Sequence, residues 1–341
     1  MLRSLIAGGL LWVSLVAAAA PLLGSAAACR RYGGVPDTVA TAATTQGWVP
    51  GGRFIMGADD AYPEEAPARE VAIAGFWMDR HEVSNAQFAR FVRATGYRTL
   101  AERGLDVRHY PAVPARLRQP GSMVFIMPTR LAPDQVNWWH FVPGANWRQP
   151  EGPGSSWRGR ENHPVVHIAR EDAMVYARWA GRSLPTEAEF EYAARGGIDS
   201  RFPWGDSLQR QGRQMANTWQ GPFPFKNNTE DGFAATAPVG CFAANGYGLF
   251  DLIGNVWEWT ADDWSTSLAS AVAQPALNLE DALSLQARGS KLGTIKGGSF
   301  LCSPLYCQRY RPSARHAQEL SLGSSHIGFR TVSHAPGPAK P

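Results

Sequence analysis

The pattern of apolar and polar residues predicts three helices in this chain of 341 residues. The first follows Ser84, which forms the spacing of a capping box with Gln87 three positions later. It is predicted to end at Gly96, because glycine readily adopts the left-handed conformation that follows many helices. Its apolar stripe consists of Phe88, Phe91 and Val92.

Two further helices follow the same logic. One is predicted over about residues 171–180, with Gly181 as its stop. Its core-facing residues are predicted to be Tyr176, Trp179 and Ala180. The next begins at a second capping-box pair, Thr186 and Glu189, and ends before Gly196. Its buried face is predicted to consist of Phe190, Ala193 and Ala194.

Outside the helices, strand-like patterns are confined to short runs, for example residues 53–56, 71–73 and 293–296. The chain contains 35 Gly, 25 Pro and 13 Trp, so much of it is predicted to be loop with aromatic residues on its walls. We therefore expect an α+β fold with little regular secondary structure, in which loops carry the function. This domain is predicted over residues 47–334, and residues 335–341 are predicted to form a disordered tail.

The first 28 residues have the features of an export signal. Arg3 supplies the positive charge, an apolar run follows, and the small residues 26–28 offer a cleavage site. Cys29 comes next, so a lipoprotein signal with a lipid on Cys29 is one alternative to simple cleavage, and an uncleaved anchor is another. Residues 29–46 are predicted to be a linker. We expect an exported protein, periplasmic or otherwise extracytoplasmic, whose membrane attachment, if any, runs through the N-terminus.

The charge pattern excludes one class of partner. The formal net charge is +4, and no block of Lys and Arg interrupts the chain. Nucleic acid binding needs a concentrated basic surface, so we expect no nucleic acid partner.

Two of the four cysteines, Cys302 and Cys307, lie five positions apart. Helical neighbours stand three or four apart, so this spacing places the thiols on different faces of any helix. Pro304 also disfavours a helix, because it biases the preceding residue toward an extended conformation. The pair is therefore predicted on a bend after the strand at 293–296, and the glycines at 297–298 allow the backbone to pass close to another segment.

The spacing leaves three explanations open for this pair. A local disulfide suits an exported chain. A zinc site is weaker, since no second Cys or His pair lies nearby. A two-thiolate site for a soft ion such as Cu(I) is the third. The more isolated Cys241 is predicted to be a buried apolar side chain.

Two stretches, residues 217–233 and 245–259, interleave carboxylates and amides with glycines. Oxygen ligands of this kind suit Ca²⁺, which binds six to eight of them. On the residues alone, however, turn capping by the same side chains is the simpler explanation.

The run KGGSF-x-C-x-x-x-Y-C-x-R-Y-R from Lys296 to Arg311, followed by Gly328-Phe329-Arg330, resembles the signature of the formylglycine-generating enzymes, the copper oxidases that mature sulfatases. Similar stretches cover nearly the whole mature chain, including GGRFIMG from Gly51 and GANWRQPEGP from Gly144. The resemblance implies a compact, irregular α+β fold related to C-type lectins.

The resemblance also assigns metals. It implies that Cys302 and Cys307 bind Cu(I). It implies two structural calcium ions, each held by two side chains and two backbone oxygens. The first set is Asn217 and Asp231 with the backbone oxygens of Thr218 and Phe233. The second set is Asp251 and Glu258 with the backbone oxygens of Gly254 and Val256.

The implied reaction converts a cysteine, within a Cys-x-Pro-x-Arg segment of an unfolded sulfatase, to Cα-formylglycine with O₂. The substrate thiolate would join the two cysteines as a third soft ligand. Ser299 and Tyr306 are candidates for hydrogen bonds to oxygen or water, and Trp257 for a wall of the pocket. We expect a monomer. The rival hypothesis is a lectin-like binding module, stabilised by calcium and without catalysis, in which Cys302 and Cys307 form a disulfide.

Overall fold

The computed structural model of the chain describes residue 29 and residues 45–108, 113–130, 138–269 and 292–338. The predicted export signal and nearly all of the predicted linker lie outside these residues. The α-helices of the described residues are Asn85–Thr95, Leu100–Arg103, Ala115–Arg118, Arg170–Trp179 and Glu187–Arg195, and a 3₁₀ helix spans Pro63–Glu65.

The strands are short and form several small sheets. They are β1 (Gln46–Val49), β2 (Gly52–Met56), β3 (Arg69–Ile73), β4 (Phe76–Asp79), β5 (Gly121–Phe125), β6 (Trp139–Pro143), β7 (Gln209–Arg210), β8 (Arg213–Gln214), β9 (Trp257–Asp263), β10 (Leu292–Lys296), β11 (Arg315–Glu319), β12 (Ile327–Gly328) and β13 (Val332–Ser333). The largest described sheet has the order β11-β10-β9-β12, and a second has the order β1-β4-β13. The predicted α+β fold with little regular secondary structure is confirmed.

The two capping boxes predicted from the sequence are present in the structure. The Ser84 and Gln87 side chains cap each other's backbone amides, at 3.3 and 2.8 Å. Thr186 and Glu189 repeat this arrangement at 3.2 and 2.8 Å. These bonds satisfy amides that the helix itself leaves without a partner.

The middle helix departs from the prediction in one respect. It begins at Arg170 and ends at Trp179, and Tyr176 is buried as predicted. Trp179 is 40% exposed, so its predicted inward orientation is wrong. It lies in the last helical turn, at the edge of the core, where its ring contacts Phe91 and Tyr176 at centroid distances of 5.4 and 5.7 Å.

The main apolar core extends from the Asn85–Thr95 helix to the four-stranded sheet. Phe88 packs edge-on against Phe329, and both belong to a buried cluster that includes Trp257 and Cys302. Burial of such aromatic side chains is a dominant stabilising term. The cysteine loop is therefore anchored on the core at one end.

Buried ion pairs fix the strands on either side of that loop. Lys296, the last residue of β10, is fully buried, and its Nζ lies 3.1 Å from Glu191. Arg315, the first residue of β11, donates to both carboxylate oxygens of Glu187 at 2.6 and 2.8 Å. Charged side chains are rarely buried unless paired. These pairs join the Glu187–Arg195 helix to the sheet.

Cys241 forms a disulfide with Cys29 across 212 residues of sequence. Its predicted burial is confirmed, with Ala237 and Phe242 in the same apolar cluster. The disulfide itself was not predicted, because disulfide connectivity depends on tertiary contacts that spacing does not reveal. A lipid thioether on Cys29 would need the sulfur atom that this disulfide uses.

Part of the predicted disordered tail is packed. Gly337 lies against the Trp48 ring, and the Trp77 indole Nε1 donates to the Pro336 carbonyl at 3.2 Å. Residues 339–341 lie outside the described residues. None of the helices in the described ranges combines the length and the apolar character that crossing a bilayer requires.

Candidate active site

The cysteine loop begins directly after β10 and consists of two successive turns. The Cys302 amide donates to the Ser299 carbonyl and the Cys307 amide to the Ser303 carbonyl, both at 2.9 Å. Gly298 has φ 77°, and a Cβ there would lie 2.6 Å from the Arg309 carbonyl oxygen. Glycine at this position therefore lets the two arms of the loop approach each other.

The two turns bring the predicted thiols together. The Sγ atoms of Cys302 and Cys307 are 3.4 Å apart, and both cysteines are free. A disulfide would hold them at about 2.05 Å, so the pair is reduced in this structure. Cys302 is 2% exposed, whereas Cys307 is partly open to solvent. The pair thus has one buried member and one accessible member.

The two thiols differ in acidity. A hydrogen bond from Cys302, with smaller contributions from Arg309, lowers the pKa of Cys307 to about 6. Burial, followed by the contact with Cys307, raises the pKa of Cys302 well above its ordinary value. Because the thiolate is the form that reacts and binds metal, Cys307 is the first of the two to become competent.

Arg309 is a site residue that the sequence reasoning did not assign. It donates through Nε to Glu64 at 3.0 Å, and its guanidinium lies 3.9 Å from the centroid of the Tyr62 ring. These contacts hold a cation beside the Cys307 thiolate. Arg309 stands two residues after Cys307 in the signature quoted above, and this position is the sequence feature that could have identified it as a site residue.

The residues predicted to be catalytic line one cleft of about 430 Å³. Trp257 is buried, and its ring lies 5.7 Å from that of His316. Tyr306 is 55% exposed and stacks on Phe223 at 4.6 Å. The structure places these rings beside Ser299, Cys302 and Cys307. Aromatic rings therefore surround the thiol pair on several sides.

A second unassigned residue in the cleft is His326. Its Nδ1 lies 3.1 Å from the Ser299 Oγ, and its ring centroid lies 4.6 Å from that of Trp139. Burial lowers the pKa of His326 to about 3. The imidazole is therefore neutral at physiological pH. Nothing in the local sequence pattern links residue 326 to residue 299.

The thiol pair fits the donor set expected for Cu(I). Two thiolates that hold one ion at about 2.3 Å, the length of a zinc–sulfur bond, lie at most about 4.6 Å apart, and the observed separation is within that limit for an ion with bonds of comparable length. Within the described ranges, no three Cys, His, Asp or Glu side chains are grouped so as to hold a metal. An ion on the two thiols would therefore keep a coordination position for an external ligand.

The first predicted calcium loop already has a dense set of hydrogen bonds. The Asp231 carboxylate accepts from the amides of Thr218 and Phe233 at 3.0 and 2.9 Å. It also accepts from Gln220 Nε2 at 2.9 Å. The Oδ1 atom of Asn217 is buried without a hydrogen-bond partner. A buried oxygen of this kind fits a cation, because it is costly to leave unsatisfied.

The second predicted calcium loop shows both a free oxygen and a competing ion pair. Asp251 Oδ1 is buried without a hydrogen-bond partner, and burial raises the pKa of this carboxyl to about 7. Glu258 instead accepts from Arg330 with both oxygens, each at 2.7 Å. Glu82, which the sequence reasoning did not assign, has a buried Oε2 without a partner. Asp251 fits a cation better than Glu258 does.

The two loops are in direct contact. The Asn255 amide donates to the Asn217 carbonyl at 2.9 Å, and the Asn217 amide group donates to Asn255 Oδ1 at 3.1 Å. Gly254 has φ 79°, and a Cβ there would collide with the Asn217 carbonyl oxygen. Glycine is therefore required for this approach.

Comparisons with known proteins agree with this geometry. Residues 34–335 match the family described as sulfatase-modifying factor enzyme 1-like domain. The "Formylglycine-generating enzyme" of Mycobacterium tuberculosis is 50% identical over 287 residues, covering 83% of this chain and 96% of that protein. A protein of Mus musculus named "Inactive C-alpha-formylglycine-generating enzyme 2" is 39% identical, covering 85% of this chain and 86% of that protein.

Among solved structures, PvdO from Pseudomonas aeruginosa is similar, with a TM-score of 0.56 and 25% identity, covering 84% of this chain and 92% of that one. The match to the family covers most of the chain, and the thiol pair lies within it. The chain therefore belongs to the formylglycine-generating, sulfatase-modifying enzyme family.

Proposed function

We propose that this chain is a copper-dependent oxidase that converts a cysteine of unfolded sulfatases, within a Cys-x-Pro-x-Arg segment, to Cα-formylglycine with O₂. The observation that carries the proposal is the reduced Cys302 and Cys307 pair on the wall of an aromatic cleft. Family membership alone does not carry it, because one similar protein bears a name that calls it inactive.

Two thiolates are the contribution of this chain to copper binding. Metal binding requires deprotonated cysteines, and the low pKa of Cys307 favours the first bond at neutral pH. Cys302 would have to release its proton to solvent for both thiolates to hold the ion. Cu(I), when bound, supplies the redox centre for the O₂-dependent oxidation. The soft thiolates select Cu(I) over hard cations such as Mg²⁺ or Ca²⁺.

The cleft explains why the substrate must be unfolded. Cys302 is 2% exposed, so a substrate thiol reaches the pair only on an extended segment that enters the cleft. Trp257 and the stacked rings of Tyr306 and Phe223 exclude water around that segment. The hydroxyl groups of Ser299 and Tyr306 are polar groups within this apolar wall, and we assign them to hydrogen bonds with the reacting atoms.

We propose two structural calcium ions in the loops behind the cleft. The unpartnered oxygens of Asn217 and Asp251 support this assignment, since each would gain a ligand bond that the protein itself does not supply. The backbone oxygens of Thr218, Phe233, Gly254 and Val256 complete the proposed ligand sets, together with Asp231 and Glu258. Glu258 would shift from its ion pair with Arg330 to take part.

We propose that the protein is exported and acts as a monomer in the periplasm or another extracytoplasmic space. The signal-like residues 1–28 support export, and the Cys29–Cys241 disulfide suits an oxidising compartment. Because that disulfide uses the Cys29 sulfur, we propose that Cys29 carries no lipid. The rival binding module depends on a Cys302–Cys307 disulfide, and the 3.4 Å between these sulfurs argues against it.

The test combines metal titration with product analysis. Anaerobic titration of the reduced protein is expected to give one tightly bound Cu(I) per chain. In air and with a thiol reductant, the loaded enzyme is then expected to convert a Cys-x-Pro-x-Arg peptide to the formylglycine product, detected by mass spectrometry. In each turnover the cysteine loses its sulfur as sulfide and gives two of the four electrons that O₂ accepts, and the thiol reductant gives the other two as it becomes a disulfide. A peptide with serine in place of the cysteine is the matched control. Copper-loaded enzyme that leaves the cysteine peptide unchanged in air with the reductant present would overturn the proposal.

A further inference from the structure

The contacts of Ser299 define how its hydroxyl can be used. Its Oγ accepts from the Leu301 amide at 3.2 Å, and His326 Nδ1 lies 3.1 Å from the same atom. Its own amide lies 3.4 Å from the Cys302 sulfur as a donor. Ser299 thus lies between His326 on one side and the Cys302 thiol, a proposed copper ligand, on the other.

The position of His326 is determined by the backbone as well as by its ring contacts. The Trp257 amide donates to the His326 carbonyl at 2.8 Å, directly before β12 pairs with β9. The imidazole ring rests on Trp139. Two neighbouring elements therefore constrain the ring, and its Nδ1 edge meets Ser299.

The ring nitrogen of His326 that carries the hydrogen decides where the hydroxyl proton of Ser299 points. If Nε2 carries the hydrogen, Nδ1 accepts the Ser299 proton and draws it away from the thiols. If Nδ1 carries the hydrogen, it donates to the Ser299 oxygen. That oxygen then accepts two hydrogen bonds, and its own proton is free to donate toward the Cys302 sulfur. The second arrangement would add the hydroxyl to the Ser299 amide, which already donates toward the Cys302 sulfur at 3.4 Å.

We infer that His326 is a positioning residue that donates from Nδ1 to Ser299 and thereby directs the serine hydroxyl toward Cys302 and the reacting atoms. His326 itself does not bind the metal. This inference rests on the proposed function for its kinetic consequence, but the hydrogen bond exists in the metal-free protein and is tested separately.

The kinetic test uses two substitutions of different chemistry. His326→Phe removes the donor and keeps an aromatic ring. We expect kcat on the peptide to fall about 10- to 100-fold, less than the roughly 100- to 1,000-fold cost of removing a donor at a reaction centre, because His326 acts only through Ser299. His326→Asn keeps a donor near the Nδ1 position and is expected to restore most of kcat. Cu(I) affinity, measured by competition with a chromophoric chelator, is expected to stay within about threefold of wild type in both variants.

A double-mutant cycle separates positioning through Ser299 from a direct effect. In a Ser299→Ala background, His326→Phe is expected to change kcat by no more than about twofold, because the two residues act as one unit. If the kcat losses of Ser299→Ala and His326→Phe multiply in the double variant, the inference is overturned. An unchanged kcat in His326→Phe alone would also overturn it. His334→Phe, at a histidine that pairs with Glu189 outside the cleft, controls for the loss of a histidine as such.

Nitrogen NMR of the histidine rings in the metal-free protein tests the contact without any turnover. We expect His326 to be protonated at Nδ1, and we expect its signal to move in Ser299→Ala. Protonation at Nε2 would overturn the inference even if the enzyme is active. A wild-type enzyme that does not convert the peptide would instead contradict the proposed function, while the NMR result would still stand. Loss of Cu(I) binding in His326→Asn would indicate that His326 is a metal ligand, and this result would also overturn the inference.

Discussion

The thiol cleft and the proposed calcium loops are both polar regions on the same core, but their polar groups differ in exposure and in number of partners. In the cleft, the Cys307 thiol and the Tyr306 hydroxyl belong to residues that remain at least partly exposed. In the loops, Asp231 and Asn255 are buried and accept or donate several hydrogen bonds each. Accessible groups with few partners can bind and react, whereas buried groups with many partners hold loops in place.

The two cysteine pairs show the same contrast within one residue type. Cys29 and Cys241 are 212 residues apart and closed into a disulfide next to one of the proposed calcium loops. Cys302 and Cys307 are five residues apart and remain thiols in the cleft. A cross-link between distant residues restricts the unfolded chain far more than one between near neighbours. The first pair is therefore suited to stability and the second to chemistry.

The largest effect is expected from substitutions in the cleft. Cys302→Ser or Cys307→Ser should lose tight Cu(I) binding and reduce kcat by at least about 100-fold, because a single thiolate with a hard hydroxyl neighbour no longer selects the soft ion. The melting temperature should change little. Anaerobic Cu(I) competition and peptide turnover measure the two losses. A double serine variant with wild-type turnover would remove the copper assignment and with it the contrast between the two pairs.

Loss of the Cys29–Cys241 disulfide should lower stability and leave catalysis unchanged. Cys29→Ser is expected to lower the free energy of unfolding by about 2–4 kcal/mol, as loss of a native disulfide typically does, with kcat of the folded protein unchanged. Denaturant titration with and without a reductant measures this. If the variant and the wild type unfold identically, or if mass spectrometry finds a lipid on Cys29, the disulfide does not form in the mature protein.

Calcium removal should resemble the loss of the disulfide. With free Ca²⁺ at about one hundred times its dissociation constant, each of the two ions adds about 2.7 kcal/mol to the stability of the native state, so chelation should lower the melting temperature clearly. Asp231→Ala and Asp251→Ala, each acting on one ion, should together reproduce most of this change and leave the chelator little further effect. Melting curves that do not respond to chelator would exclude calcium as a structural ion.

The smallest effect concerns the acidity of the cleft thiol. In the metal-free protein, alkylation of Cys307 should rise as pH increases through about 6 and level off above 7, because only the thiolate reacts. Cys302→Ala removes the hydrogen-bond donor and should move this midpoint upward, toward the ordinary value near 8.5. Mass spectrometry of the labelled peptide gives the rate at each pH. A midpoint near 8.5 in the wild type would show that the contact between the thiols does not lower the pKa.

Local sequence patterns predicted three of the helices and the bend that carries the cysteine pair. Ser84 with Gln87 and Thr186 with Glu189 interact within one helical turn, so their spacing is enough to predict the caps. Pro304 and the glycines at 297–298 act on their own backbone, which is why the bend that carries Cys302 and Cys307 was predictable. The resemblance of this run to a family signature was sufficient for the family itself.

Tertiary structure alone decided which distant residues meet. Cys29 reaches Cys241, His326 reaches Ser299, and Lys296 is buried against Glu191, although none of these pairs is close in sequence. Such contacts depend on how the sheets and loops pack around the core, and a hydrophobic pattern with a range of a few residues carries no information about them. Burial also decided the acidity of the site, because the difference between the Cys302 and Cys307 thiols arises from their depth and their partners rather than from their identity.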